Sequence, residues 1–301
     1  MPRFATLILL FATVGAALGD DSARRERFER AGERALRYVE QLVDFGPRPA
    51  GSAAQRRQQR YILERLKGLS CEIEEVDFEA RTPLGPRSLK NIIAKFPGKT
   101  GRVIVVSGHY DTKLFDDFRF VGANDGGSSA GFLLALAELL EGRQNRDSIW
   151  LLWFDGEEAF VEWRDEDHTY GSRKQAELWA QQDLGSRLVA LINVDMIGDS
   201  DLQLNPEAAS TAWLRELIWR TADELGYASN FPRRGLSYIA DDHVPFLERG
   251  WPAVDLIDFD YGFFNRFWHS ESDTVDKLGA KSFTVMLHVV WETLDRLERR
   301  D

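Results

Sequence analysis

Two adjacent carboxylates, Glu157 and Glu158, are the residues whose type and position most directly indicate chemistry. They follow residues 148–154, which we predict to be a buried strand because Ile, Trp, Leu and Phe run through it. Neighbouring glutamates withdrawn from water repel each other unless a cation binds one and the other exchanges protons. The pair therefore indicates one metal ligand and one general base. A solvated acidic turn is the ordinary alternative in so acidic a chain.

Further potential metal ligands stand just beyond predicted strands or in loops, namely His109, Asp111, Asp125, Asp195 and His269. Taken singly, each has an ordinary explanation as a turn residue, a helix cap or a hydrogen-bonded surface group. Open α/β sheets, however, build their sites at the carboxyl ends of their strands, where such residues meet. Histidine and carboxylate ligands without a thiolate suit zinc in an open catalytic site better than a structural zinc finger.

Strands and helices alternate along the chain. We predict strands at residues 91–96, 103–107, 148–154, 188–194 and 253–257. Helices are predicted at residues 23–45, 55–69, 128–141, 171–181, 208–225, 244–248 and 281–299. This order predicts a single α/β domain with a mixed, mostly parallel central sheet and helices on both faces.

The bulk composition limits the possible partners. A chain of 301 residues that is 44% hydrophobic buries a large core, and it carries a single cysteine, Cys71. Its net charge of −11 argues against a nucleic acid partner, because phosphate backbones require a basic surface.

The first 19 residues have the pattern of a targeting segment: Arg3, an apolar run over residues 4–18, and small residues before Asp20. The run is shorter than the roughly 20 residues needed to cross a bilayer. We therefore predict a cleaved signal peptide at residues 1–19 and a catalytic domain at residues 20–301, rather than a retained anchor. The protein is expected to be secreted or periplasmic, without stable membrane insertion after cleavage.

The polar segments together resemble the zinc-dependent aminopeptidase family M28, over residues 45–278. The segments that resemble its metal site are His109-Tyr110-Asp111, Asn124-Asp125-Gly126-Gly127, Asp155-Gly156-Glu157-Glu158, residues 194–198 and His269. Others resemble its glutaminyl-peptide cyclotransferase branch, namely Lys113, residues 120–123, Trp163, residues 170–173, residues 241–247 and Trp268. The resemblance implies a fold like that of the zinc aminopeptidases and phosphorylase-hydrolases.

The resemblance also implies a role for each matching residue. Zinc would be bound by Asp125, Glu158 and His269. Glu157 would be the general acid/base, with Asp195 and Asp241 as a hydrogen-bonding carboxylate pair beside it. The remaining positions would contact the substrate: Trp163 and Trp268 as pocket walls, together with Lys113 and His243.

The sequence leaves two activities open. A cyclase would use one zinc ion to convert the N-terminal Gln of peptides or proteins into pyroglutamate, releasing ammonia. An aminopeptidase would use two zinc ions that share Asp125, with His109 and Asp195 completing the second site. The ligand residues are the same in both. The turn at residues 124–130 is closer to the aminopeptidases, and the cysteine pair of many animal cyclases is missing.

A third interpretation is a binding module that kept the fold without activity. An intact Glu157 and a full ligand set argue against this interpretation.

Overall fold

The computed structural model describes residues 5–300 of the chain, with side chains described from residue 22 onward. The predicted signal peptide, residues 1–19, therefore lies outside the residues whose side chains are described. Among the helices of the described region, none is both long enough and apolar enough to cross a membrane.

A six-stranded mixed sheet forms the centre of the domain. Its strands are β1 Glu72–Thr82, β2 Gly85–Phe96, β3 Val103–His109, β4 Ser148–Phe154, β5 Leu188–Asp195 and β6 Ala253–Ile257. They lie in the order β1-β2-β4-β3-β5-β6. Strands β4, β3, β5 and β6 are parallel, whereas β1 and β2 run antiparallel at one edge. The predicted fold class is confirmed.

The outermost strand, β1, was not predicted, and β2 begins at Gly85 rather than at residue 91. The two strands form a hairpin paired from Glu72 opposite Lys95 to Thr82 opposite Gly85. Most of β1 is exposed or half-buried and charged. An edge strand of this kind lacks the continuous apolar run that marks the buried strands.

Among residues 5–300, seven α-helices surround the sheet: α1 Ala5–Val43, α2 Ala53–Leu66, α3 Gly127–Leu140, α4 Tyr170–Gln181, α5 Ala212–Glu224, α6 Val244–Leu247 and α7 Ala280–Glu298. Side chains of α1, α3, α5 and α7 pack into the larger core, and those of α4 and α6 pack into a smaller core. Successive strand residues alternate between these cores: Ile104 and Val106 enter the first, Val103 and Val105 the second.

Helix α5 begins four residues later than predicted, at Ala212. The backbone before it makes other hydrogen bonds, from Ala208 N to Ser237 O and from Thr211 N to Ala253 O. These bonds tie residues 208–211 to the loop after α5 and to β6.

The parallel register places the ends of four strands, β4, β3, β5 and β6, side by side. His109, the last residue of β3, lies opposite Phe154, the last residue of β4. Asp195, the last residue of β5, lies opposite Ile257 at the end of β6. Side chains that follow these strands therefore meet at one edge of the sheet.

Candidate metal centre and catalytic site

Three predicted zinc ligands, Asp125, Glu158 and His269, converge at this edge. Nε2 of His269 lies 2.9 Å from Oε1 of Glu158 and 3.2 Å from Oδ2 of Asp125. One candidate ligand atom from each of the three lies within 4.8 Å of the other two. Asp125 and Glu158 are buried, and His269 is partly exposed. The three ligands are thus shielded from solvent at Asp125 and Glu158 and accessible to solvent at His269.

A second group shares Asp125 with the first. Nε2 of His109 lies 3.1 Å from Oδ1 of Asp195 and 3.3 Å from Oδ1 of Asp125. The two carboxylate oxygens of Asp125 therefore face different histidines. This arrangement fits a carboxylate that bridges two metal ions, and it equally fits a single ion with His109 beside it.

The first group has the properties of a cation site. Oδ2 of Asp125 and Oε2 of Glu158 are buried without a hydrogen-bond partner in the described chain. Buried carboxylate oxygens without donors are costly unless a cation binds them. Burial lowers the pKa of His269, but the charges of Glu158 and Asp125 outweigh burial and raise it to about 10. One nitrogen and two carboxylate ligands suit zinc with an open position.

Asp125 is held in place through its backbone. The turn between Asp125 and α3 requires glycine at Gly126, whose φ is +78° and whose added Cβ would stand 2.2 Å from the carbonyl oxygen of Asp111. The carboxylate of Asp273 accepts hydrogen bonds from the backbone N–H groups of Asn124 at 2.8 Å and Asp125 at 3.1 Å. The ligand therefore lies at a fixed position before α3 begins.

Arg48 anchors the loop that leads to Asp125. Its guanidinium is fully buried and donates to the carbonyl oxygens of Val121 at 2.8 Å and Gly122 at 3.0 Å. Burial lowers the pKa of Arg48 to about 10, so the guanidinium stays charged at neutral pH. This side chain thus links the turn after α1 to the metal-binding loop.

The carboxylate of Asp111 positions the glutamate pair. It accepts hydrogen bonds from the backbone N–H of Glu157 at 3.1 Å and of Glu158 at 3.3 Å. Asp155 takes part in a different network, because its carboxylate accepts from Lys90 N at 2.8 Å and from the Tyr110 hydroxyl at 3.1 Å. Burial, followed by the charge of Asp111, raises the pKa of Asp155 to about 8.

Glu157 belongs to neither group of candidate ligands. Its Oε2 lies 3.7 Å from Nδ1 of His109. Burial raises the pKa of Glu157 well above its usual value, against the opposing charge of His109, and the charges of Glu158 and Asp241 add to the increase. A buried carboxyl group whose pKa is raised in this way is suited to general acid/base chemistry.

Asp195 and Asp241 each have a different partner. Asp195 lies against His109, and burial raises its pKa to about 7. Oδ2 of Asp241 accepts a hydrogen bond from Nδ2 of Asn193 at 3.0 Å. No direct hydrogen bond joins the two carboxyl groups in the described part of the chain, so their coupling to Glu157 is through charge and through His109.

Two of the predicted substrate contacts lie at the first ligand group. The indole of Trp268 stacks on His269 with ring centroids 4.1 Å apart and remains 37% exposed. Nζ of Lys113 donates to the carbonyl oxygen of Ala159 at 2.6 Å and lies 4.0 Å from Oε2 of Glu158. Trp268 and Lys113 therefore contact residues next to, or part of, the candidate metal centre.

Trp163 lies on the loop that follows the glutamate pair. Its indole is 38% exposed and stacks on His168, with ring centroids 4.6 Å apart. The loop is ordered by Asp167, whose carboxylate accepts hydrogen bonds from the backbone N–H of Phe160 and Val161. The pocket-wall role of Trp163 stays a prediction.

His243 is placed differently from its predicted role. Its side chain is fully buried, and Nε2 lies 3.2 Å from Oε2 of Glu207. This placement does not support the predicted direct contact with substrate. The residues after it, Val244–Leu247, form α6, which packs into the smaller core.

Several polar residues at this edge were not predicted to take part. Asn193 and Asp255 lie inside apolar strands, and a buried polar residue in such a run is a signal that the sequence did contain. Asp273 gave no local signal, because its contact with Asn124 spans 149 residues. Glu207 is likewise identified only by its contact with His243.

A large cavity of about 790 Å³ lies elsewhere, at α1, α5 and α7, where its lining includes Phe28, Tyr227 and His288. None of the candidate ligands or acid/base residues lines it. The convergence of the ligands, rather than cavity size, locates the functional site.

Residues 91–294 match the model of Peptidase family M28, and the chain belongs to this family. Its family and its glutaminyl-peptide cyclotransferase relatives indicate that it is an enzyme. Over 253 residues it is 31% identical to a glutaminyl-peptide cyclotransferase of Drosophila melanogaster, covering 75% of this chain and 70% of that one. It is 33% identical to the glutaminyl-peptide cyclotransferase of Bothrops jararaca, over 79% and 73% of the two chains.

Solved structures agree with this assignment. The glutaminyl cyclase of an Acidobacteriales bacterium superposes with a TM-score of 0.85 at 33% identity, over 90% of this chain and 95% of that one. The resemblance and the fold inferred from the sequence are therefore confirmed.

Proposed function

We propose that this enzyme is a glutaminyl-peptide cyclotransferase that converts the N-terminal Gln of peptides or proteins into pyroglutamate and releases ammonia. The observation that carries the proposal is that the two adjacent glutamates have different surroundings. Glu158 joins Asp125 and His269, while the neighbouring Glu157 is held by Asp111 at its backbone and belongs to neither ligand group. Cyclotransferase relatives at 31–33% identity support the choice of reaction.

The proposed cofactor is one zinc ion held by Asp125, Glu158 and His269. Bound there, zinc would act as a Lewis acid on the oxygen of the substrate's side-chain amide. The unpartnered oxygens of Asp125 and Glu158 and the ring nitrogen of His269 supply its ligands.

Glu157 performs the proton transfers. The α-amine of the substrate attacks the carbon of the Gln side-chain amide, forming the new C–N bond of the five-membered ring. Glu157 takes a proton from the attacking nitrogen and returns it to the departing nitrogen, which leaves as ammonia when the old C–N bond breaks. Burial raises the pKa of Glu157 well above its usual value, which makes this carboxyl group a stronger base for the proton it takes from the amine.

The substrate is a free peptide N-terminus. Trp268 and Trp163 present exposed indole faces for the short Gln side chain, and Lys113 contributes a positive charge within reach of Glu158. We assign His243 no direct contact with the substrate, because its side chain is fully buried.

An aminopeptidase is the second candidate, because His109, Asp125 and Asp195 form the second ligand group. In that case two zinc ions would be bound, and Glu157 would take a proton from the water that attacks the first peptide bond. The two activities differ in metal stoichiometry and in the product.

The deciding experiment combines zinc counting with two assays on one preparation. We expect one tightly bound zinc per chain, ammonia and pyroglutamate from peptides that begin with Gln, and little release of N-terminal Leu. Two tight zinc ions with rapid Leu release and no pyroglutamate would replace the cyclase with the aminopeptidase.

A matched pair of histidine variants sharpens the test. In a single-zinc cyclase, His269→Ala lowers zinc content while His109→Ala retains it, because only His269 is a ligand. In a two-zinc enzyme, His109→Ala instead reduces the stoichiometry from two to one.

We also propose that residues 1–19 direct export and are removed, which makes the enzyme secreted or periplasmic. The support is the basic, apolar and small-residue order of this segment. N-terminal sequencing of protein recovered from the periplasm or medium tests the proposal, and a start at Met1 would contradict cleavage.

A further inference from the structure

The segment between β6 and the candidate ligand His269, residues 258–268, is a loop rich in aromatic side chains, called here the aromatic loop. The rings of Phe263 and Phe264 project from it, 75% and 88% exposed. The backbone at Phe264 and Asn265 has a φ of +56°, a conformation that non-glycine residues adopt only where the surroundings impose it. Contacts elsewhere in the loop must therefore hold this turn in place.

The turn is closed on the backbone of Tyr261. The N–H of Tyr261 donates to Oδ1 of Asn265 at 3.2 Å, and its carbonyl oxygen accepts from the N–H of Phe267 at 3.3 Å. The Tyr261 ring packs edge-on against that of Phe267, with centroids 5.4 Å apart. Because Tyr261 is fully buried, it joins the exposed turn to the interior of the domain.

The hydroxyl of Tyr261 reaches the residue that holds the metal-binding turn. It donates to Oδ1 of Asp273 at 2.8 Å. The same oxygen accepts from the backbone N–H of Asn124 at 2.8 Å, and Oδ2 accepts from that of Asp125 at 3.1 Å. Three donors thus meet at one buried carboxylate, two from the turn that carries Asp125 and one from the aromatic loop.

The direction of the hydrogen bond from Tyr261 is defined. Backbone N–H groups only donate, so both oxygens of Asp273 act as acceptors. Burial, followed by the charge of Asp273, raises the pKa of Tyr261 above its usual value, and the hydroxyl keeps its proton at neutral pH. Removing a donor from a fully buried carboxylate is costly, because water does not reach the vacated position. The hydroxyl of Tyr261 therefore helps to fix where the Asp273 carboxylate lies.

We infer that Tyr261 is a positioning residue, which joins the aromatic loop to the metal ligand Asp125 through the carboxylate of Asp273. The loop then meets the metal centre at two points, through Tyr261 near its start and through His269, which follows its last residue. The loop and the ligand turn hold each other in place. The inference rests on the proposed function only in taking Asp125 as a zinc ligand.

A single hydroxyl deletion tests this connection. Tyr261→Phe keeps the ring and removes only the donor to Asp273. We expect its zinc affinity, measured by competition with a chelator of known affinity, to fall about 10-fold, the lower end of the range for outer partners of a metal ligand. The matched control is Tyr38→Phe, which removes the hydroxyl that donates to the carboxylate of Glu138 near the far end of α3. The control should bind zinc as tightly as the parent.

A double-mutant cycle tests whether Tyr261 acts through Asp273. Asp273→Asn places an amide N–H₂ group where an oxygen accepts from a backbone N–H, so zinc affinity should fall further than in Tyr261→Phe. Adding Tyr261→Phe to Asp273→Asn should then cost little more, because residues that act through one contact are not additive. If Asp273→Asn does not fold, Asp273→Glu replaces it in the cycle.

Each other outcome overturns the inference. Parental zinc affinity in Tyr261→Phe would show that the hydroxyl positions nothing. An equal loss of zinc affinity in Tyr38→Phe would show a general effect of losing a buried hydroxyl. Losses that add fully in the double variant would show that Tyr261 acts independently of Asp273.

This result is separable from a failure of the proposed function. If the parent releases N-terminal Leu and forms no pyroglutamate, the cyclase proposal fails. Asp125 is a zinc ligand in the aminopeptidase as well, so the zinc competition with Tyr261→Phe, Tyr38→Phe and the double variant keeps its meaning.

Discussion

Two regions of the sheet, the β1–β2 hairpin and the carboxyl ends of the parallel strands, place similar charged side chains in opposite environments. On the β1–β2 hairpin, Lys95 lies 3.3 Å from Glu72, whose side chain is 74% exposed. At the carboxyl ends of the parallel strands, Asp125, Glu157 and Glu158 are all buried. Exposed pairs are screened by water, whereas buried carboxyl groups must find a cation, a donor or a proton.

This difference follows from the strand connections. A hairpin such as β1–β2 needs only a short turn and leaves one face in water, whereas parallel strands require crossovers that cover both faces. The loops after β3, β4 and β5 are therefore enclosed by their neighbours. The same acidic residue types are therefore solvated on the β1–β2 hairpin and perform chemistry at the carboxyl ends of the parallel strands.

The largest expected effect is on Glu157. Glu157→Gln should fold and keep its zinc yet lose about 10²–10⁴-fold in kcat, because it removes the group that moves the proton. The matched control is Glu158→Gln, the same chemical change one residue along, which should lower zinc content. Zinc analysis and turnover on the same preparations decide the comparison, and near-normal turnover would remove Glu157 from the mechanism.

The metal ligands come next. Asp125→Ala and His269→Ala each remove one ligand, and zinc affinity should fall by more than the roughly 10–100-fold that loss of an outer partner costs. Competition with a chelator of known affinity measures the change. If both variants hold zinc as tightly as the parent, the ligand set is wrong.

How much of this was predictable depends on where each signal lies. The buried strand Ser148–Phe154 was predicted to the residue, because an apolar run bounded by polar residues marks it locally. The edge strand β1 was missed, because its charged residues give no such mark. The convergence of Asp125, Glu158 and His269 followed from strand-end positions and from the family resemblance.

The supporting residues could not be predicted in the same way. The carboxylate of Asp273 accepts a hydrogen bond from the backbone N–H of Asn124, which is 149 residues away in the sequence. Glu207 contacts His243, which is 36 residues away. Such partners depend on how loops pack in three dimensions, which no local periodicity encodes. The resemblance also grouped His243 with the substrate pocket, whereas the fold buries its side chain against Glu207.

An intermediate effect is expected at Glu207, a buried carboxylate away from the metal ligands. It accepts hydrogen bonds from Ser210 N at 2.6 Å, Ser210 Oγ at 2.7 Å and Nε2 of His243 at 3.2 Å. Burial raises its pKa, but these bonds and that from the Ala209 backbone outweigh burial and lower it to about 2. Glu207→Gln should cost about 1.5–3 kcal/mol of unfolding free energy at pH 7, the usual value for bonds to a charged group.

The pH dependence of this effect has a definite sign. Because the folded pKa is depressed, the stabilisation is present above the unfolded value near 4.5 and is lost as pH falls toward 2. Urea unfolding of parent and Glu207→Gln from pH 7 to pH 3 should show the difference narrowing below about pH 4.5. A gap that stays constant with pH would show that Glu207 acts through packing rather than charge.

The smallest effect is expected at the exposed edge. Nζ of Lys95 lies 2.5 Å from Glu74 and 4.9 Å from the ring centroid of Trp150. Lys95→Met keeps the aliphatic stem over that ring and removes only the charge, so the unfolding free energy should change by no more than about 1 kcal/mol. Because exposed charges are screened by salt, the change should shrink further in 1 M NaCl, and kcat should not change. Urea unfolding at low and high salt measures this change in unfolding free energy.

A loss of unfolding free energy in Lys95→Met as large as that in Glu207→Gln would mean that the hairpin's ion pairs stabilise as strongly as buried ones. The contrast between the hairpin and the carboxyl ends of the parallel strands would then fail.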